Sequence, residues 1–120
     1  MISSYKDLIV WQRSIELVET VYQVTRKLPD HERFGLVSQM QRAAISIPSN
    51  IAEGRYRGTK NDFTQFLRIA YGSGAELETQ IIISKKLYPK TTTDYTHLDE
   101  LLIEVMKMLN QMIRNLNPKS

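Results

Sequence analysis

The sequence predicts an all-α protein, an up-down-up-down antiparallel four-helix bundle with a kinked second helix. Four segments, at about residues 6–28, 33–54, 60–88 and 94–116, repeat apolar residues at steps of three and four, which is the spacing of one helix face. No segment of comparable length alternates apolar and polar residues as a half-buried strand would. The loops between these segments are short, and short loops favour antiparallel neighbours. We interpret residues 1–120 as one bundle domain.

The first predicted helix has two apolar stripes. Asp7 is its expected N-cap, and Pro29 ends it because the residue before a proline disfavours the helical conformation. One stripe consists of Leu8, Trp11, Ile15, Val18 and Tyr22, and the other of Val10, Leu17, Val21, Val24 and Leu28. A single bundle needs one broad apolar face per helix. Either the bundle covers both stripes, or one of them contacts another subunit, which is the interpretation that we favour.

The second predicted helix contains a proline. Its stripe ends at Gly54, which suits a left-handed C-cap, and consists of Val37, Met40, Ala44, Ile47 and Ile51. A proline within a helix removes a hydrogen bond and presses on the carbonyl four residues earlier. We therefore expect a kink at Pro48, with Ser46 able to cap a restarted helix.

Polar residues on one edge of this helix form a candidate structural cluster. Asn50 is expected to satisfy carbonyls released by the kink, and Glu53 to pair with Arg42 or Arg68. Glu76 of the third helix is a second candidate partner for these arginines. Contact of this edge with a ligand or a nucleic acid is the alternative interpretation.

The last two predicted helices have clear boundaries. Thr59 or Asn61 is expected to cap the third, which Pro89 ends, and its stripe consists of Phe63, Leu67, Ala70, Gly74, Leu77, Ile81, Ser84 and Tyr88. The small residues within it predict close helix packing. Thr93 or Asp94 is expected to cap the fourth, which Pro118 ends, with a stripe of Leu98, Leu102, Val105, Leu109, Met112 and Leu116.

Composition excludes several classes of protein. The apolar content of 42% and charged content of 24% are typical of a globular domain. The chain has no cysteine, which fits a cytoplasmic location, and no apolar run approaches the ~18 residues of a membrane span. The N-terminus also lacks the layout of a signal peptide.

The sequence contains no recognisable catalytic or metal-binding motif. Di-iron helix bundles use inward-facing carboxylates and Glu-x-x-His pairs, and this chain has no such pair. His31 falls in a loop, and His97 begins the last helix among acidic residues that are typical of a solvated helix start. We therefore expect a protein that is not an enzyme and needs no metal or cofactor.

The candidate nucleic-acid site is the basic turn between the second and third helices. The segment between residues 33 and 68 holds six basic residues and two acidic ones, although the whole chain has a net charge of only +3. Arginine and lysine bind phosphate, and an exposed tyrosine stacks on an unpaired base. The candidate residues are Arg55, Tyr56, Arg57, Lys60 and Arg68. A solvated loop without a ligand is the simpler interpretation of the same residues.

Three segments carry a resemblance to a known family. The stretches "DLIVWQRS" (7–14), "RAAISIPSNIAEG" (42–54) and "DFTQFLRIAYGSGAELETQ" (62–80) resemble the four-helix-bundle family of 23S rRNA-intervening-sequence proteins. The resemblance runs from about residue 5 to residue 116. It implies a small bacterial protein that assembles into a ring, typically a pentamer. A related branch, the accessory proteins of diversity-generating retroelements, forms basic pentamers that bind nucleic acid and a reverse transcriptase.

Two functional hypotheses follow. The first is an oligomeric protein that binds nucleic acid, above all RNA, through sequence-independent phosphate contacts, which a ring would multiply. The second is a homo-oligomeric scaffold or accessory subunit that binds an enzyme partner. The candidate surfaces of the second are the acidic start of the fourth helix and the surplus stripe of the first.

Overall fold

The protein is all-α. The computed structural model describes residues 4–90 and 93–117, and this part of the chain contains four α-helices, two short 3-10 helices and no strand. The α-helices are α1 (Ile9–Thr25), α2 (Leu36–Tyr56), α3 (Lys60–Leu87) and α4 (Thr96–Leu116). The 3-10 helices are Tyr5–Asp7 and Asp30–Glu32. The prediction of four helices without strands is thus confirmed.

The four helices enclose one apolar core. Each α-helix packs against its neighbours in the chain, and α1 also packs against α4. Every helix contributes side chains that are completely excluded from solvent, among them Leu17, Met40, Ile47, Ile51, Leu67, Leu77, Leu98 and Leu109. The predicted stripes of α2, α3 and α4 supply most of this core.

The two stripes of α1 have different environments. Val10, Leu17 and Val21 of the second stripe are buried in the core. Trp11, Ile15 and Val18 of the first stripe are only half-buried. They line a groove of about 300 Å³ against α2, together with Tyr5, Ile45, Pro48, Ser49 and Ala52. The surplus apolar surface of α1 is therefore the first stripe.

Several predicted helix boundaries differ from the structure. Asp7 does not cap α1, because residues 5–7 form a separate 3-10 helix that Ser4 caps with its hydroxyl. Thr59 does cap α3 by accepting a hydrogen bond from the Asp62 amide. Before α4, the Asp94 carboxylate accepts from the Thr96 amide at 2.9 Å, and the helix begins two residues later than predicted. Pro118 lies outside the described residues.

Helix α2 continues through Pro48. It is one helix from Leu36 to Tyr56, so Ser46 does not cap a restarted segment. The Ser46 hydroxyl instead shares a hydrogen bond with the Ser73 hydroxyl of α3, at 2.8 Å. Asn50 donates to the Ser46 carbonyl at 2.7 Å, whereas the carbonyl that Pro48 leaves without its helical donor is that of Ala44.

Gly54 does not terminate α2. The helix runs two residues further, and the glycine in the left-handed conformation is Gly58, with φ of +85°. Gly54 is buried against α3, where an added Cβ would lie 2.6 Å from the Cβ of Phe66. The close approach of α2 and α3 at this position, rather than backbone freedom, therefore explains the glycine.

The small residues of α3 serve a similar purpose at one position. A Cβ on Gly74 would lie 2.2 Å from the sulfur of Met106 on α4, whereas a Cβ on Gly72 would meet no atom within 4 Å. Close packing is thus confirmed for Gly74. Gly72 lies on the exposed side of the helix.

Candidate nucleic-acid interface

The candidate site lies where α2 ends and α3 begins, a region that we call the basic end. The 3-10 helix Tyr5–Asp7 packs against α2, and this contact brings the first described residues next to the last turn of α2. On the other side, the start of α3 lies beside the end of α4. Two grooves result, one on each side of the short turn from residue 57 to residue 59.

The first groove, which we call the Tyr56 groove, combines cationic and aromatic side chains. It has a volume of about 350 Å³ and is lined by Ser4, Tyr5, Lys6, Arg55 and Tyr56. Two of the five predicted site residues therefore share a groove with Lys6 and Tyr5, which were not among the predicted residues. No local sequence signal identifies Lys6, because its position depends on how the 3-10 helix packs.

The two tyrosines of this groove are held differently. Tyr5 is half-buried, and its ring meets the edge of the Trp11 ring with 5.5 Å between centroids and 65° between planes. Tyr56 is 85% exposed at the last position of α2. One aromatic ring is thus fixed by packing, while the other is open to a ligand.

Arg57 has contacts of its own outside this groove. Its guanidinium pairs with the Glu53 carboxylate at 2.9 Å, one helical turn earlier. It also lies over the Phe66 ring, 4.9 Å from the centroid. Arg57 therefore neutralises the acidic group of the last α2 turn and joins α2 to α3.

The second groove holds the other two predicted residues. Lys60 and Arg68 line a space of about 340 Å³ with polar residues of α3 and the end of α4, namely Asn61, Thr64, Gln65, Leu116 and Asn117. The five candidate residues are therefore divided among the Tyr56 groove, the turn and this second groove.

The predicted structural cluster is also divided. Asn50 bonds to Ser46, and Glu53 pairs with Arg57 rather than with Arg42 or Arg68. Arg42 and Glu76 are exposed and line a separate groove of about 470 Å³ with Phe34, Ser38, Gln39 and Ala43. The expectation of one buried polar cluster is wrong, because these long charged side chains extend to the solvent on different helix faces.

At the opposite end of the molecule, which we call the paired end, polar groups bind one another. The Tyr88 hydroxyl donates to the Glu32 carboxylate, whose other oxygen accepts from the Leu36 amide at the start of α2. The Lys85 ammonium contacts the Asp99 carboxylate at 2.7 Å. These contacts connect the loop before α2, the end of α3 and the start of α4.

Hydrogen bonds at the paired end shift the pKa values of three side chains. The hydrogen bond from Tyr88, and then that from the Leu36 amide, lower the pKa of the Glu32 carboxyl. The bond to Glu32 raises the pKa of the Tyr88 hydroxyl. Hydrogen bonds from Thr96 lower the pKa of Asp94. In each case the bond favours the charged carboxylate, as expected for a carboxylate that accepts hydrogen bonds.

Neither a metal site nor a membrane-spanning helix is found within residues 4–90 and 93–117. No group of three or more His, Asp or Glu side chains in this range is placed to hold a metal ion. No helix in it is long and apolar enough to cross a membrane.

Comparison with known proteins identifies the family. The profile of the 23S rRNA-intervening sequence proteins matches residues 6–111, which is most of the chain. The chain belongs to this family. The resemblance noted from residues 7–14, 42–54 and 62–80 is thereby confirmed.

A solved structure shares the fold of this family member. It is the crystal structure of a protein of unknown function from the S23 ribosomal protein family of Bacteroides thetaiotaomicron VPI-5482. The two chains are 23% identical, the match covers 88% of this chain and 99% of the other, and the TM-score is 0.79. No curated protein matches the chain.

Proposed function

We propose that this protein binds nucleic acid, above all RNA, through sequence-independent phosphate contacts at its basic end, and that it is not an enzyme. The observation that carries the proposal is the Tyr56 groove, in which Lys6 and Arg55 lie beside two tyrosines. Lysine and arginine bind phosphate oxygens, and arginine does so with two parallel hydrogen bonds. The family description, which refers to a segment of ribosomal RNA genes, is consistent with such a partner.

The turn next to the groove extends the same positive surface. Lys60 lies across the turn on the second groove, with Arg68 two turns further along α3. Because phosphate contacts are electrostatic, each one adds affinity without reading sequence, and each weakens as salt rises. A strand that crosses the basic end would contact both grooves.

The test is an anisotropy titration of labelled RNA and DNA from about 50 to 200 mM salt. We expect binding with a steep salt dependence, which the triple charge reversal Lys6→Glu, Arg55→Glu and Lys60→Glu abolishes. A matched triple reversal at the paired end, Lys27→Glu, Lys86→Glu and Lys90→Glu, changes net charge equally and should retain most binding. Equal losses in both triple variants would show that net charge alone, rather than the basic end, attracts the ligand.

We further propose that the chain forms an antiparallel bundle that assembles into a ring-like homo-oligomer. Contacts between α2 and α3 support the first part, since Gly54 meets Phe63, Ser46 meets Ser73, and the loop residue Glu32 meets Tyr88. As residue numbers decrease toward the start of α2, the numbers of the contacting residues increase along α3, as they do when two helices run antiparallel. A cytoplasmic location agrees with the absence of cysteine.

Exposed apolar side chains support assembly. Ile45 borders the half-buried α1 stripe, and α3 exposes Ile69, Ile82 and Ile83. Further copies of the chain would cover these side chains, and the family resemblance implies five copies in the ring. We expect light scattering to give a multiple of the 13.9 kDa chain mass, and Ile45→Glu or Ile82→Glu to reduce it. A monomeric parent protein would contradict the proposal.

The scaffold hypothesis remains the second candidate because of one aromatic residue. Phe34 is 88% exposed beside Arg33, in the loop before α2 and far along the chain from the basic end. Exposed aromatic residues are common anchors of protein interfaces. A protein partner bound through Phe34 would dissociate on Phe34→Ala and would depend much less on salt than a nucleic acid does.

A further inference from the structure

We infer that the Tyr56 groove binds one unpaired nucleotide of a single strand, with the base stacked on Tyr56 and the phosphate held by Lys6 and Arg55. The inference rests on the proposed function and names the class of nucleic acid that the site takes. A purely electrostatic surface would bind the phosphates alone, and the bases would then make no difference to affinity.

The size and lining of the groove support this inference. Its volume of about 350 Å³ lies at the lower end of the range of small-ligand sites. A surface that binds only the phosphate backbone needs cations but no aromatic side chains. The structure offers an open groove in which cations and aromatic rings lie together, which is the combination found in single-strand binding sites.

The aromatic side chains are arranged for stacking. Tyr56 ends α2, so its ring is anchored at the backbone by a long helix while 85% of the residue is exposed. Such exposure is unfavourable for an aromatic ring in water, and a base would cover it. Tyr5, fixed by its contact with Trp11, forms a rigid wall of the same groove. A fixed wall lowers the entropy that a bound base loses.

The local charge favours a phosphate over a cationic ligand. Lys6 and Arg55 both line the groove. The nearest acidic residue on α2, Glu53, is already paired with Arg57. The charged residues around this groove, namely Lys6, Asp7, Glu53, Arg55 and Arg57, sum to a formal charge of +1, which favours a nucleotide with its phosphate over a cationic ligand.

A duplex does not satisfy these contacts. Its bases are stacked on one another and their faces are inaccessible, whereas an unpaired base presents a face to an aromatic side chain. A duplex does carry more phosphates for the same length. Phosphate contacts alone therefore predict that duplex binds at least as tightly as single strand, and stacking on Tyr56 predicts the reverse.

The experiment compares labelled probes of equal length with the full-length protein at constant low salt. The probes are a thymidine strand, the same strand annealed to its adenosine complement, and an abasic strand with the same phosphates. A uridine strand distinguishes RNA from DNA, and thymidine monophosphate distinguishes a strand from a free nucleotide. We expect the thymidine strand to bind about 5- to 100-fold more tightly than the abasic strand, the range given by stacking of one base.

Variants separate the two contributions. Tyr56→Ala should weaken binding of the thymidine strand by a similar factor and leave the abasic strand unchanged, because that strand has no base to stack. Phe34→Ala removes an equally exposed aromatic ring elsewhere and should change neither. Lys6→Ala with Arg55→Ala should weaken both strands, because both carry phosphates.

Different results would contradict the unpaired-nucleotide inference and the proposed function. If the thymidine, abasic and duplex probes bind equally well and Tyr56→Ala has no effect, the unpaired-nucleotide inference is wrong while the proposed function stands. If no probe binds even at low salt, both are wrong. Binding of thymidine monophosphate as tight as that of the strand would overturn the assignment to a strand.

Discussion

The two ends of this bundle use charged and aromatic residues in different ways. At the paired end, Glu32 accepts from Tyr88, and Lys85 contacts Asp99, so polar groups connect loops and helix ends to one another. At the basic end, Lys6, Arg55 and Tyr56 line an open groove. The contacts of the paired end contribute to the fold, whereas cationic side chains that line a groove create a local potential that favours an anion, whatever other contacts they make. The difference directs functional experiments to one end.

The largest expected effect tests the packing that supports the basic end. Gly54→Ala places a Cβ 2.6 Å from the Phe66 Cβ and 3.4 Å from the Phe63 Cα, so α2 and α3 must separate. We expect a loss of about 1–2 kcal/mol in the free energy of unfolding, because overpacking outweighs the better helix propensity of alanine. Urea unfolding followed by circular dichroism measures it.

Gly72→Ala is the matched control, in the neighbouring helix. A Cβ there meets no atom within 4 Å. The same substitution should therefore stabilise the protein by about 0.5–1 kcal/mol. Similar shifts in both variants would show that close approach is not the reason for Gly54.

The next effect lies toward the paired end and concerns a buried acceptor on α3. Gln80 on α3 is 7% exposed, and its side-chain oxygen makes no hydrogen bond within the described residues. Replacing it with an apolar side chain of similar size removes an unsatisfied acceptor. We expect Gln80→Met to raise the free energy of unfolding by about 1 kcal/mol. Gln23→Met, on an exposed site of α1, should change it by less than about 0.5 kcal/mol. A loss of stability in Gln80→Met would mean that the amide has a structural role.

The third prediction concerns pH and the Glu32–Tyr88 bond. Because the folded pKa of Glu32 is lowered, its contribution to stability is present above the ordinary carboxyl range and is lost as pH falls through the folded pKa. Because the pKa of Tyr88 is raised, its contribution is present below the ordinary tyrosine range and is lost as pH rises through the raised value.

The measurement is a series of thermal melts of the parent protein and Tyr88→Phe. We expect the variant to melt at a lower temperature near neutral pH, with the difference diminishing below about pH 4. Nucleic-acid binding at the basic end should be unchanged at neutral pH. A difference in melting temperature that stays constant through acidic pH would show that the bond to Glu32 is not responsible.

The smallest effect is expected for the ion pair at the paired end. The side chains of Lys85 and Asp99 are 42% and 39% exposed. Exposed pairs contribute about 0.2–1 kcal/mol and are screened by salt. Lys85→Ala should therefore lower the free energy of unfolding by at most about 0.5 kcal/mol, and a double-mutant cycle with Asp99→Ala isolates the pair. A coupling energy well above this range would mean that the paired end is held mainly by this contact.

Periodicity predicted the core where each helix has one apolar face. The stripe of α3 from Leu67 to Ser84 is buried as predicted, since this helix has no second stripe to compete with the first. In α1 the two stripes are similarly apolar, and the sequence does not indicate which one meets the core. The structure buries the one that includes Leu17 and Val21 and leaves Trp11 at the edge.

The candidate site was only partly predictable for a related reason. Arg55 and Tyr56 stand out because they lie in a basic turn. Lys6 is distant from them in sequence, and its proximity depends on the packing of a 3-10 helix against α2. The partner of Glu53, in contrast, could have been predicted, because Arg57 follows it by four residues, the spacing at which oppositely charged side chains pair on a helix.

The contact between Tyr5 and Trp11 also makes the molecule its own optical reporter. Trp11 is the single tryptophan of the chain, and its ring edge meets the tyrosine that forms a wall of the Tyr56 groove. Indole emission responds to changes in its immediate surroundings. A ligand that contacts Tyr5 in the groove changes the surroundings of this ring pair and will therefore alter the intrinsic fluorescence of the unlabelled protein, whereas a ligand at the paired end will leave it unchanged.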